Sequence, residues 1–143
     1  MGKRTTSDAS LTQADEGMKV IEDYKRAIEH SDEHLLREVF APQVHIEIPA
    51  GAIVDQSANT ASHVMSQVAK TAPGIEAVLT ADAGNDWYLL GFEGQLEGQK
   101  LQAVDQVHLN GDGKIDQLII YMRPIPAAQK FAEAISQRLQ PTA

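Results

Sequence analysis

Cysteine is absent from this chain of 143 residues, which excludes disulfides, thiol nucleophiles and cysteine-ligated zinc. Long apolar runs are absent as well. No segment approaches the roughly 20 consecutive apolar residues that a membrane helix needs. The opening MGKRTTSDASLTQAD has basic residues with no apolar stretch behind them, unlike a secretory leader. A cytoplasmic protein with no membrane partner is the expectation. Positive charge is scarce: 12 Lys and Arg against 20 Asp and Glu leave a formal net charge of −8. That balance argues against nucleic acid, whose phosphates call for clustered cations. No GxGxxG, GxxxxGK[ST], GxSxG or HExxH pattern occurs, so neither a cofactor nor a metal is expected.

What is present reads as a polar, mobile tail over 1–14 and one domain over 15–143. Val20, Ile21, Tyr24, Ala27 and Ile28 recur at helical spacing and predict a helix over 15–30 with Tyr24 on its apolar stripe. Ser31 or Asp32 caps a second helix that turns Leu35, Leu36, Val39 and Phe40 inward and stops at Ala41-Pro42. In VHIEIP, Val44, Ile46 and Ile48 alternate with His45 and Glu47, a half-buried strand. Residues 52–58 read as loop, and Asn59 opens a third helix closed by Pro73-Gly74. Three strands follow (IEAVLTA, DWYLLGFEG, KLQAVDQVHL), then the turn NGDGK, the strand KIDQLIIYMR and a final helix beginning near Pro124 and Pro126. The order ααβαββββα predicts an α+β domain with helices on one face of a mainly antiparallel sheet.

NGDGKID invites a calcium-loop reading, but its first ligand would be His108 and its last Ile119, where a bidentate Glu is required. A hairpin turn fits better. His30 and His34 straddle a helix break and read as solvated; His63 is a candidate acid or base on the third helix. Asp105 is the stronger signal. Leu101, Ala103, Asp105, Val107 and Leu109 share one strand face, so this carboxylate sits among aliphatic side chains, where desolvation favours its protonated form. A neutral carboxylic acid donates a hydrogen bond suited to a developing oxyanion. The same placement also fits a buried Asp tied to backbone or to a tyrosine for the sake of the fold.

The run from Tyr24 through SD and LLREVFAPQVHIEIP, together with AVDQVHLNGDGKIDQLIIYMRP, resembles the nuclear transport factor 2-like superfamily, in its SnoaL-like and ketosteroid isomerase branch, over 16–139. The resemblance implies a curved, mainly antiparallel sheet wrapped by helices into a cone (a cystatin-like fold) with an internal apolar pocket, and commonly a dimer. It also implies that Tyr24, eight residues before Asp32, is an oxyanion-binding phenol, and that Asp105, before the GK turn, is its protonated partner; this logic is that of ketosteroid isomerase itself. The family's general base precedes a proline in the first strand. Here that position is Ile48, and alternation turns Glu47 to the other face. In the cyclases acid and base groups follow the GKI turn, where Asp116 stands, but Tyr121-Met122-Arg123 replaces the Trp-Asp pair.

With the resemblance, the expected pocket is lined by Tyr24, Phe40, Ile46, Ile48, Val64, Val68, Ala103, Asp105, Val107, Leu118, Ile120 and Met122. It suits a small hydrophobic molecule with one carbonyl or hydroxyl. Val104, Ile119 and Tyr121 on the outer sheet face suggest a homodimer interface. Three functions stay open: an isomerase-, cyclase- or dehydratase-type proton-transfer enzyme, with Asp55 or His63 as the base; a non-catalytic hydrophobic-ligand-binding module; and a dimeric interaction domain.

Overall fold

The computed structural model describes the backbone of residues 2–49 and 53–139 and the side chains of 16–49 and 55–139. Helix α1 (Gly2–His30) buries Ile21, Tyr24, Ala27 and Ile28, the expected stripe. Its helical backbone extends over residues that the sequence assigned to a tail, for no proline interrupts that stretch. Ser31 takes a positive φ of 52° between the helices. Asp32 then caps α2 (Glu33–Val39), its Oδ1 accepting from the Leu35 amide at 3.0 Å.

Strand β1 (Phe40–Glu47) begins four residues before Val44, the predicted start, and tolerates Pro42 because its register against the sheet shifts between Phe40 and His45. The largest correction concerns 52–58, read as loop. Residues Ile53–Ser57 form β2, antiparallel to β1 with His45 opposite Asp55. An edge strand takes its pairing from its neighbour, so the polar Asp55, Gln56 and Ser57 carry no alternation that would betray it. Ser57, not Asn59, caps α3 (Ala58–Thr71), which buries Ala61, Val64, Met65 and Val68.

Strands β3 (Glu76–Gly84), β4 (Trp87–Leu96), β5 (Gln99–Leu109) and β6 (Ile115–Arg123) meander, and α4 (Ile125–Leu139) follows. Asn85-Asp86 and Glu97-Gly98 join β3 to β4 and β4 to β5, all four with positive φ, as tight primed turns require. In the NGDGK turn Asn110 works through its side chain, Oδ1 accepting from the Asp112 and Lys114 amides at 2.9 and 3.0 Å. Gly113 takes a positive φ of 72°.

The six strands form one curved sheet in the order β2-β1-β6-β5-β4-β3, antiparallel except for the parallel β1–β6 pair. Helices α1, α3 and α4 pack against it. The inner face of β5 is buried at Leu101, Ala103, Asp105, Val107 and Leu109, and Gln102 and Val104 look outward. This α+β architecture positions Asp105, the buried carboxylate among the described residues.

Candidate functional site

Asp105 is 4% exposed and Tyr24 fully buried; Tyr24 Oη donates to Asp105 Oδ2 at 2.7 Å, joining groups 81 positions apart. Helical spacing turns Tyr24 toward the sheet, and strand alternation turns Asp105 toward the helix. In register, Leu90 and Ile120 flank the acid, and the Phe40 ring lies 6.3 Å from the phenol, tilted by 52°.

Burial raises Asp105 to about 7, against a smaller downward pull from the Tyr24 hydrogen bond. Burial first, then the nearby Asp105 charge, lifts the Tyr24 phenol well above its ordinary range. Tyr24 therefore stays a donor, and near neutrality the acid is a mixture of protonated and ionised forms. The second carboxylate oxygen decides what this pair can do. Among the described residues Oδ1 has no hydrogen-bond partner, yet every sealed side-chain polar atom has one. Oδ1 is thus not fully sealed, although the pair as a whole is buried in the core.

Of the residues expected to line a pocket, Phe40, Ile46, Val64, Val68, Ala103, Val107, Leu118 and Ile120 are buried in one cluster with Tyr24, and Ile48 and Met122 pack against it half-buried. They enclose the pair closely. Two clefts lie elsewhere: about 350 Å³ on the outer sheet face, with Ala103 and Met122 among its lining, and about 890 Å³ where α1 meets two of the turns.

Neither candidate base joins the pair. Asp55 lies on β2, three-quarters exposed, with Oδ1 2.6 Å from His45 Nδ1. His63 turns toward α2, its Nδ1 3.3 Å from Glu33 Oε1, in a cluster where Ser66 also donates to Glu33. Glu47 bonds His45 Nε2 at 2.9 Å on the outer face, as alternation requires. Asp116 Oδ1 lies 2.6 Å from His108 Nδ1, also outside. These contacts belong to a cross-strand row that sequence reasoning missed: Asp55, His45, Gln117, His108 and Trp87 stand side by side on five strands. His45 is pushed up by Glu47 and then Asp55, and the His108 and Trp87 rings are 4.8 Å apart. Alternation put His45, Gln117 and His108 on the outer face, but only the strand order makes the five residues neighbours. Among the described residues no group of His, Asp and Glu is arranged to hold a metal.

This architecture, a curved six-stranded sheet with helices packed against it, is the nuclear transport factor 2-like, or cystatin-like, fold. A steroid delta-isomerase from Pseudomonas aeruginosa superposes with a TM-score of 0.78 at 19% identity, over 87% of this chain and 91% of its own. An uncharacterized protein with a cystatin-like fold from Silicibacter pomeroyi gives 0.78 at 19% identity, over 83% and 84%. A nuclear transport factor 2-like protein of unknown function from Cytophaga hutchinsonii gives 0.61 at 14% identity, over 77% and 92%. No family model and no curated protein matches the sequence.

Proposed function

We propose that the Tyr24–Asp105 pair is the recognition site of a small-molecule-binding protein whose ligand is a compact, mostly apolar compound with one carbonyl or hydroxyl. The unpartnered Oδ1 of Asp105 carries this reading. Protonated, it donates to a carbonyl; ionised, it accepts from a hydroxyl. Tyr24 holds Oδ2 and so fixes the direction of Oδ1. The surrounding aliphatic groups offer a guest apolar contact and no counter-ion, which disfavours charged ligands.

Proton-transfer catalysis is the second reading, favoured by the likeness to a steroid delta-isomerase. A donor pair polarises a carbonyl, but removing an α-proton needs a base within hydrogen-bond reach. With Asp55 and His63 engaged on other faces, binding has the better support. Titration with 2-naphthol separates the readings: Asp105→Ala should weaken binding about tenfold or more, as for a hydrogen bond to a chargeable group, with Asp105→Asn as a folding control. Equal affinity for wild type and Asp105→Ala removes the site. Exchange of ketone α-protons into deuterated solvent above the uncatalysed rate would restore the enzyme reading.

The outer sheet face supports a second copy of the chain as partner. Leu79, Leu89, Val104 and Tyr121 are exposed there around the 350 Å³ groove. Arg123, Gln102 and Glu93 stand in one row across β6, β5 and β4. A two-fold axis along β5 in the contact plane would set the Arg123 of each copy over the Glu93 of the other. Sedimentation equilibrium should find a dimer that Tyr121→Glu dissociates; a monomer at all concentrations ends that proposal.

A further inference from the structure

The larger cleft, about 890 Å³, lies between α1 and the β3–β4 and β5–β6 turns and includes neither Tyr24 nor Asp105. Four carboxylates line it, Glu16, Asp82, Asp86 and Asp112, against two lysines that are engaged elsewhere. Lys19 lies 3.8 Å from Asp23, and Lys114 Nζ donates to the Glu38 carbonyl at 2.7 Å. Among the described residues none of the four carboxylates forms an ion pair, and Asp82 accepts only from the Gly84 amide. With four carboxylates against two lysines, the lining carries a net negative charge.

A cluster of acids alone would be an ordinary solvated rim, but Tyr88 changes that. Its ring is part of the core and only 7% of the residue is exposed, yet the residue lines the cleft. Among the described residues its hydroxyl has no hydrogen-bond partner, and it is not sealed, since sealed polar atoms all have one. Asp82 stands opposite Tyr88 in the β3–β4 register, and burial, then the Asp82 and Asp86 charges, pushes this phenol up, which keeps it protonated. Gly17 faces the same hydroxyl: a Cβ there would stand 3.0 Å from Tyr88 Oη and 3.5 Å from Leu109 Cδ1. A glycine inside a helix costs about 1 kcal/mol relative to alanine, and here it leaves the hydroxyl approachable.

We propose that this cleft is a binding site for an aliphatic di- or polyamine. One ammonium would donate to the Asp82 and Asp86 carboxylates and to Tyr88 Oη as acceptor. The methylene chain would lie along the apolar wall of Val20 and Leu109, and a second ammonium would reach Glu16 or Asp112. An organic cation fits better than a metal ion, because no trio of His, Asp and Glu among the described residues stands at ligating distance. The site stands apart from the Tyr24–Asp105 reading and survives its failure.

Calorimetric titration of the intact chain with spermidine, at low salt, tests this. Tyr88→Phe should weaken binding about tenfold, the loss of one hydrogen bond to a charged group. Asp82→Asn with Asp86→Asn should weaken it further, and Gly17→Ala, whose Cβ would crowd Tyr88 Oη, should weaken it as well. Magnesium and calcium chloride serve as competitors. No binding at millimolar spermidine overturns the proposal. So does unchanged affinity in the Tyr88 and Asp82/Asp86 variants, or equal binding of magnesium or calcium, which would mark a diffuse acidic surface.

Discussion

Replacing Asp105 with Asn is expected to flatten the pH dependence of unfolding. The folded chain holds the Asp105 proton up to about 7, whereas the free side chain releases it near 3.8. Below the lower value both states are protonated and the group contributes no penalty. As pH rises, the unfolded chain sheds its proton first and gains relative stability, until the folded chain ionises as well. Stability tied to this group is thus complete in acid, falls through the window, and is lost above about pH 7. At 1.36 kcal/mol per pH unit the loss is on the order of 4 kcal/mol. Asn keeps an oxygen acceptor for Tyr24 Oη and never ionises. Urea unfolding at a series of values from about pH 4 to 8 should show the variant gaining on wild type by that order. Parallel curves for the two proteins would mean that Asp105 is solvated, and the recognition site would go with it.

The second large effect concerns α4. Phe131 is fully buried, with Ala127 and Ile135 beside it on the same face, and the helix packs on α3 and on β4, β5 and β6. Phe131→Ala leaves a cavity that a terminal helix closes only in part, so about 3–5 kcal/mol of stability should be lost. Chemical denaturation measures this directly. A loss below about 1 kcal/mol would place α4 outside the cooperative core and leave the sheet's inner face self-sufficient. Amide exchange adds a local readout, since a loosened α4 should exchange ahead of β5.

How much of this was legible in the sequence depends on where the specifying forces lie. Strand β5 was readable residue by residue, because alternation is local and its inner face is aliphatic apart from one acid. The stripe of α1 was readable for the same reason. Strand β2 was not, since an edge strand of Asp55, Gln56 and Ser57 owes its conformation to β1 and shows no pattern of its own. The Tyr24–Asp105 contact spans 81 positions, which no local pattern encodes; the family resemblance supplied it. The same lack of long-range information misdirected Asp55 and His63. The β1–β2 register turned one outward and the α2–α3 clasp claimed the other. The close enclosure of the pair was equally hidden, since packing density is a property of all elements together.

The parallel contact between β1 and β6 has a consequence for synthesis of the chain. On the ribosome, Phe40–Glu47 emerges long before Ile115–Arg123, its central sheet neighbour. Until then the flank of β1 that pairs with β6 has no partner strand. Closing so long a loop late makes for slow maturation, with the unpaired flank of β1 open to other chains in the meantime.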